Sequence, residues 1–311
     1  MRTKVYIDGQ SGTTGLQIYD RIGAREDLEL LRIDESKRHD IEERKKFLNA
    51  AEIVFLCLPD DGAREAVSLI ENPSVRVIDA STAHRTNDAW VYGYPELSAS
   101  QREAIRTGKR IANPGCHATG LISTTAPLVR MGIVPKDYPV TCYSLTGYSG
   151  GGKKMIAAYE AQERSAELSA PGIYGLNMRH KHVPEMQKMT GLTYAPVFHP
   201  IVDDYYKGMA TTVMFQNRLL NGVKSAEEVR NRLAEYYRDA YFVTVRPFEE
   251  KPATIYANRL AGTNRLEIIV CGTEEQTTVT ALFDNLGKGA SGAAVQNMNI
   301  MLGLDERTGL E

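Results

Sequence analysis

Lys4-Val-Tyr-Ile-Asp8 runs into Gly9-Gln-Ser-Gly-Thr-Thr-Gly15, and Leu16 to Ile22 follows with apolar residues at helical spacing. The pattern is a short apolar strand, a glycine-rich turn and a helix. It points backbone N–H groups and the positive end of a helix at one spot, where a pyrophosphate can sit. The glycines are spaced G-x-x-G-x-x-G, so Gln10 stands where the first glycine of G-x-G-x-x-G would fall. Gly9, Ser11, Gly12, Thr13, Thr14 and Gly15 are the candidate phosphate contacts. The competing reading is a tight turn without a ligand. The segments downstream favour a dinucleotide. Leu28 to Ile33 is a second strand, Ile41 to Asn49 an amphipathic helix, and Ile53 to Leu58 a third strand closed by Pro59-Asp-Asp-Gly62. Ala63 to Ile70 is a helix and Val75 to Asp79 a fourth strand. This alternation predicts an α/β fold with a parallel sheet covered on both faces. Ligands of such sheets bind beyond the carboxyl ends of the strands. Asp8, Pro59, Asp79 and Cys116 all fall there.

Cys116 lies in Arg110-Ile-Ala-Asn-Pro-Gly-Cys-His-Ala-Thr-Gly120. Lys109 to Ala112 is strand-like, Pro-Gly makes a turn, and Leu121 to Val129 is an apolar helix. The cysteine is therefore expected near a helix N-terminus, where unsatisfied N–H groups and the dipole favour an anion. A thiol in that position can be activated as a thiolate. A buried, inert cysteine is the plain alternative.

The 311 residues are enough for two domains. Apolar residues make up 42% and charged residues 24%, with 37 basic against 39 acidic side chains and a formal charge of −2. That balance shows no basic tract for nucleic acid or an anionic membrane. The longest aliphatic stretches are too short to cross a bilayer, and Met1-Arg-Thr-Lys leads straight into the first strand without a signal peptide. Four cysteines in such a length do not make a disulfide framework. Cys57, Cys142 and Cys271 read as buried thiols of a reducing, cytoplasmic protein.

Beyond about residue 135 the texture changes. Val140 to Thr146, Met209 to Phe215 and Tyr241 to Val245 are strand-like, and Gly147-Tyr-Ser-Gly-Gly-Gly152 is a turn before a helix over Lys153 to Glu163. Ser225-Ala-Glu-Glu228 is a capping box. Leu266 to Cys271 and Thr277 to Leu282 alternate across Gly272-Thr-Glu-Glu-Gln276 as a hairpin. An antiparallel or mixed sheet packed on helices is expected, with a last helix from Ala293 to Leu302.

A thiol nucleophile needs an acid/base partner. Of the six histidines, His39 reads as solvated, His84 follows the fourth strand and either reaches the crevice or is a solvated loop residue, His117 adjoins the cysteine with a side chain expected to diverge from it, and His199 reads as structural. His180 and His182, in Arg179-His-Lys-His-Val-Pro-Glu185, would face the same way on an extended strand. Their spacing also suits a metal, but no second cysteine or acidic cluster adjoins them, so no metal is expected.

Together these motifs resemble the N-acetyl-γ-glutamyl-phosphate reductases, in their shorter type. The resemblance rests on Gly9 to Gly15, Asp79-Ala-Ser-Thr-Ala-His-Arg85, Asn113-Pro-Gly-Cys-His-Ala-Thr-Gly120, His180-Lys-His-Val-Pro-Glu185 and Asp284-Asn-Leu-Gly-Lys-Gly-Ala290. It implies a Rossmann-like NADP-binding domain, residues 1–116 completed by 289–311. It implies an α+β catalytic and oligomerisation domain over 117–288, with the C-terminal helix returning to the first domain. The implied assembly is a homodimer or homotetramer acting on a small acyl phosphate. The implied reaction is NADPH-dependent reduction of N-acetyl-glutamyl 5-phosphate to the 5-semialdehyde with release of phosphate, in arginine biosynthesis.

The residues can carry that chemistry. Cys116 attacks the acyl phosphate, phosphate leaves, and the resulting thioester accepts a hydride. His180 or His182 moves the proton, and Glu185 orients a histidine or holds substrate. Arg85 suits a phosphate through bidentate bonds; its competing reading is a surface ion pair. Ser81, Asn113, Ser149 and Gly150 are further candidates for the substrate and its phosphate, and Pro59 and Asn285 for the cofactor. Asp34 ends the second strand, where an acidic residue favours NAD, whereas Lys37 and Arg38 just beyond it favour a 2′-phosphate. NADP(H) rests on the resemblance. Two other readings remain: another acyl-phosphate reductase, such as an aspartate-semialdehyde dehydrogenase, and a non-catalytic dinucleotide sensor.

Overall fold

Short apolar runs, each followed by a helix, build the first sheet. A computed structural model describes residues 2–9 and 12–311, and the chain divides into two units. One runs to Pro114 and resumes over Ala290–Glu311; the other is Gly115–Gly289.

The first unit contains β1 (Thr3–Asp8), α1 (Thr13–Ile22), β2 (Leu28–Leu31), α2 (Ile41–Ala50), β3 (Ile53–Leu56), α3 (Asp60–Ser68), β4 (Arg76–Asp79), β5 (Val91–Tyr92), α4 (Ala99–Thr107) and β6 (Arg110–Ala112). Among the described residues its sheet has the order β2-β1-β3-β4-β6-β5, and every pair is parallel. All of β3 is buried, as expected for a strand covered on both faces. Leu48 of α2 and Ala63 and Ala66 of α3 pack with Val54, Leu56 and Val77 on one side. The last helix, Gly292–Met301, is buried along its whole length. Asn297 Nδ2 donates to the Gly93 carbonyl at 2.9 Å, and Asn299 Oδ1 accepts from Arg25 Nη1 at 2.6 Å. The C-terminal helix thus belongs to the first unit. Sequence periodicity did not disclose β5, which is two residues long, or α4, whose apolar side is little more than Ile105.

The second unit contains α5 (Cys116–Arg130), β7 (Thr141–Gly147), α6 (Gly152–Tyr159), β8 (Gly172–Ile173), α7 (Val183–Thr190), β9 (Val197–Asp203), β10 (Met209–Gln216), α8 (Ala226–Tyr236), β11 (Val243–Val245), β12 (Leu266–Gly272) and β13 (Gln276–Phe283); the last helix is therefore α9. The sheet order is β11-β12-β13-β10-β7-β9-β8. It is mixed: β7 runs parallel to β9 and β11 to β12, and the other pairs are antiparallel. The hairpin β12–β13 is where the alternation puts it. At the start of α8, Ser225 Oγ accepts from the Glu228 N–H at 3.2 Å, and the Glu228 carboxylate reaches back to the Lys224 N–H at 2.9 Å. Three elements were not read from sequence. The strand β8 is only two residues long. The strand β9 contains a proline, Pro200, and α7 starts on the histidine segment.

Helix α5 lies on β10 and β13, and every residue from His117 to Val129 is buried. Hydroxyl side chains bond to their own helix: Ser123 Oγ donates to the Thr119 carbonyl at 2.5 Å and Thr124 Oγ1 to the Leu121 carbonyl at 2.9 Å. Gly120 lets the helix approach the sheet, because a Cβ there would lie 2.3 Å from Thr211 Oγ1 and 2.4 Å from Thr211 Cβ. Gly120→Ala is expected to destabilise the protein by about 1–3 kcal/mol through overpacking, read as a lower urea midpoint at unchanged slope. An unchanged midpoint would show that the helix can move off the strand.

Candidate active site

Cys116 is the first residue of α5, immediately after the Asn113-Pro-Gly turn that leaves β6. The N-cap, Gly115, is extended (φ −78°, ψ 147°), and no side chain caps the helix. The first turn therefore keeps N–H groups that no helical carbonyl accepts, and the dipole's positive end falls on the thiol. The Gly115 N–H donates to Glu185 Oε2 at 3.2 Å. Glu185, buried in the first turn of α7, thus ties the two helix starts together. Gly289 closes one side of the cysteine: a Cβ there would lie 3.0 Å from Cys116 Cβ.

Three histidines gather beside this helix start. His182 is the N-cap of α7, with helical backbone angles (φ −87°, ψ −12°), and is buried. His180 precedes it in a turn, and its Nδ1 accepts the His182 N–H at 3.2 Å. This corrects the extended-strand expectation, because the Pro184 helix begins at once and folds the pair into a turn. The two rings nevertheless meet, edge to face, with centroids 4.8 Å apart. The third is His117, 5.4 Å from the His180 ring and 5.7 Å from the His182 ring. Its ring is buried and turns into the protein. Its Nδ1 lies 2.8 Å from Ser144 Oγ and its Nε2 2.7 Å from the hydroxyl of Tyr174. Burial, and then the positive charges of His180 and Lys181, push its pKa down to about 3. His117 is accordingly a neutral hydrogen-bonding group. Burial first, and then the charge of Cys116, raise the Tyr174 phenol, so Tyr174 keeps its proton. Sequence reasoning missed Tyr174, which sits in a loop with no periodic or motif signal. Among the described residues no three or more His, Cys, Asp and Glu side chains are arranged to hold a metal.

The first unit holds a cavity of about 460 Å³ at the carboxyl ends of β1 and β3. Gly9, Gly12, Arg38 and Pro59 line it, as do Asp8, Arg44, Cys57 and Glu65. The cavity suits a dinucleotide. Gly9 has φ +84°, and a Cβ there would lie 2.4 Å from the Cys57 carbonyl oxygen. Gly12 caps α1 without a side chain. Thr13, Thr14 and the buried Gly15 form the first turn of that helix, and Ser11 lies outside the described residues. Asp34 is occupied as the cap of a short 3₁₀ turn, accepting from Ser36 N–H at 2.8 Å. Arg38 lines the cavity, pairs with Glu35 and donates from Nε to His39 Nε2 at 3.1 Å. His39 also lines the cavity, on its exposed side. Lys37 is not in the lining; its Nζ is 3.9 Å from Glu43. Inside, Arg44 bonds Asp8 at 2.9 Å and Glu65 at 2.5 Å. Burial raises the Asp8 carboxyl, against the pull of the Arg44 bond.

The remaining candidates are buried and engaged. Arg85 is not a surface charge: its Nε donates to the Asn113 carbonyl at 2.9 Å and its Nη2 to the Ala80 carbonyl at 3.0 Å. Ser81 bonds Asp79 through N–H and hydroxyl, at 2.9 and 2.8 Å. His84 is buried; its Nδ1 lies 2.6 Å from Asp79 and its ring stacks 4.1 Å from Trp90. Asn113 Nδ2 donates to the Ala290 carbonyl at 3.0 Å. Asn285 joins Ser149 Oγ to the Gly208 N–H, both at 2.9 Å, and Gly150 lies against it. All four cysteines are thiols. Cys142 is buried, whereas Cys57 and Cys271 are only half-buried.

Residues 4–107 match the family described as semialdehyde dehydrogenase, NAD binding domain, and residues 116–285 the semialdehyde dehydrogenase dimerisation domain. The fold is shared with aspartate semialdehyde dehydrogenase II of Vibrio cholerae, in a structure described as complexed with ASA (TM-score 0.73, 15% identity, 97% of this chain and 98% of that one). The enzyme of Francisella tularensis gives a TM-score of 0.72 at 14% identity, over 96% and 100% of the chains. Much nearer in sequence is N-acetyl-gamma-glutamyl-phosphate reductase 2 of Nostoc sp., 45% identical over 99% of both chains. The Pseudomonas putida protein of that name is 48% identical over 96% of both. The chain belongs to the semialdehyde dehydrogenase family, in its N-acetyl-γ-glutamyl-phosphate reductase branch.

His117 gives a pH test. Its proton affinity is lower folded than unfolded, about 3 against 6.5. Stability is therefore intact above pH 6.5 and is lost on acidification towards pH 3, because the unfolded chain binds the proton first. The loss attributable to His117 should approach about 1.4 kcal/mol per pH unit. His117→Gln should flatten the stability profile below pH 6.5 in urea titrations; parallel profiles would place the proton elsewhere.

Proposed function

We propose that this protein reduces N-acetyl-glutamyl 5-phosphate to N-acetyl-glutamate 5-semialdehyde with release of phosphate, using NADPH, in arginine biosynthesis. The observation that carries the reading is Cys116 at an uncapped helix start whose next residue, His117, meets His180, His182 and Tyr174. Full-length relatives bearing the reductase name support it. The likeness to aspartate-semialdehyde dehydrogenases, at 14–15% identity, concerns the fold alone. A sensor without chemistry has no use for a thiol so placed.

The Cys116 thiolate attacks the acyl carbon; the carbon–oxygen bond to phosphate breaks, and phosphate leaves with its electron pair. The product is a thioester on Cys116. NADPH, when bound, supplies the hydride that reduces the thioester carbonyl. Hydride addition leaves a tetrahedral oxyanion on Cys116, which is protonated to the thiohemiacetal; loss of that proton as the carbon–sulfur bond breaks frees the aldehyde and returns the thiolate. His180 or His182 moves that proton. With Nδ1 accepting a backbone N–H, neutral His180 presents Nε2–H as its donor. Glu185 holds the helix start through the Gly115 N–H. Arg85, with Ser81 in the same turn, is proposed for the phosphate, and Ser149 and Gly150 for the substrate. Asn113 and Asn285 brace the surrounding chain.

Gly9, Gly12 and the first turn of α1 would hold the pyrophosphate, and Pro59 the neighbouring part of the cofactor. Arg38 and His39 would meet the 2′-phosphate. The enzyme works in the cytoplasm as a homodimer or homotetramer. The apolar row Val197 and Met214, flanking Thr141 in register on β9, β10 and β7, supports association through the second sheet.

Cys116→Ser is expected to bind NADPH normally and to keep less than about a tenth of the turnover, since a lost nucleophile costs several kcal/mol. More residual activity would remove Cys116 from the chemistry. Asn at His180 and at His182 should split the two, with one large fall in kcat. Arg38→Ala should raise KM for NADPH by about tenfold, the scale of one charge-assisted contact, with NADH much less affected. Lys37→Ala should do little. Equal effects on both cofactors would show that Arg38 does not read the phosphate.

A further inference from the structure

The wall of the first unit's cavity contains a carboxylate where anions are expected. Asp8 ends β1, directly before the Gly9 turn, and lines the same cavity as Gly9 and Gly12. It is buried, at 3% exposure. A carboxylate held there repels the phosphates that the turn and the start of α1 would take up. Burial leaves that repulsion less screened than it would be at the surface.

The same wall supplies a cation. Arg44 of α2 is 7% exposed and donates to Asp8 Oδ2 from Nη2 at 2.9 Å and from Nε at 3.3 Å. Its Nη1 donates to Glu65 Oε2, on α3, at 2.5 Å. Three elements thus bring three charges to one side of the cavity. The two carboxylates are not equivalent. The Glu65 side chain is half-exposed, at 47%, and water screens it. The Asp8 carboxylate is inside, and Arg44 compensates it. All three nitrogens of the guanidinium are engaged with carboxylates, so its fork is spent on the wall and not on a ligand.

We propose that Arg44 is a positioning residue for cofactor binding: it keeps the Asp8 carboxylate paired within the wall, so that the cavity accepts the pyrophosphate that NADPH and NADH share. The inference deepens the proposed function and rests on this cavity being the cofactor site. It separates Arg44 from Arg38. Arg38 would meet the 2′-phosphate, whereas Arg44 acts, through Asp8, on the part common to both cofactors.

The test is calorimetric titration of the full-length protein with ADP, which carries the pyrophosphate without nicotinamide or 2′-phosphate, and with NADPH and NADH. Titrations are run at about pH 9, so that Asp8 stays ionised without its partner. Arg44→Gln, which keeps a donor for Asp8 but removes the charge, should raise Kd for all three ligands by about tenfold or more. Asp8→Asn should bind them at least as tightly as the unaltered protein. Asp8→Asn in the Arg44→Gln background should restore Kd to within about threefold, because the charge that needed compensation is gone. Glu65→Gln, at a half-exposed position, leaves Arg44 on Asp8 and should bind ADP about twofold more tightly; it keeps the test open where Arg44→Gln does not fold. A purely structural arginine would move the urea midpoint and leave the Kd of the folded protein alone. An unmoved Kd in Arg44→Gln, a double variant as weak as Arg44→Gln, an effect confined to NADPH, or equal or weaker ADP binding in Glu65→Gln would each overturn the proposal and leave the cavity standing. If Arg38→Ala is silent for NADPH as well, the cavity is not the cofactor site, and the reading beneath the proposal falls with it.

Discussion

Helix α5 has no solvent face, and the candidate site depends on that. Residues 117–129 are all buried, so the helix cannot slide or rotate without leaving a cavity or a clash, each costing kilocalories. Its hydroxyls are satisfied within the helix, which lets polar residues sit in an apolar layer without outside partners. Gly120 sets the distance to β10. With depth and rotation fixed, the first residue of the helix is fixed too. That residue is Cys116, and its neighbours Gly115 and His117 become anchors, to Glu185 and to Ser144. A reactive group at a helix end would ordinarily share the fraying of that end. Here the end is the best-held part of the helix.

The first sheet was legible in the sequence, because strands buried on both faces are apolar runs and the crossover helices separate them cleanly. The position of Cys116 was legible for a related reason: Pro-Gly between a strand and an apolar helix leaves few alternatives. Less could be read of the second unit. There α7 is short, and its start was mistaken for a strand because His180 and His182 share a spacing that suits both a strand and a turn. The neighbourhood of His117 was out of reach. Its partners Ser144 and Tyr174 are 27 and 57 residues away, and only the pairing of β7 with β9 and of β9 with β8 brings them together. The burial of His84 was out of reach in the same way, since stacking on Trp90 and bonding to Asp79 leave no periodic trace.

In the first unit, the charges around the cavity are not equivalent. Arg44 is the cation most deeply placed, but Asp8 and Glu65 neutralise it. A buried pair of this kind keeps its partners, because removing one strands the other's charge. It contributes shape and rigidity to the cavity wall more than attraction for an anion. Arg38 and His39 stand at the exposed side, where exchanging a surface pairing with Glu35 for a phosphate costs little. Under the proposed function, Arg38 is therefore the cation best able to exchange its present partner for a 2′-phosphate.

The same logic orders the three histidines. A cationic histidine next to Cys116 would stabilise the thiolate strongly, but three imidazoles within 6 Å cannot all be charged, since each would repel the others at short range. Burial takes His117 out of that competition by holding it neutral. Its two nitrogens are then committed in opposite directions, one to Ser144 and one to Tyr174. Under the proposed function, proton transfer falls to the pair on the α7 turn, where His180 is half-exposed. On the proposed function the histidines then have different parts: His117 is fixed between two hydroxyls, and the pair on the α7 turn is left to carry the proton.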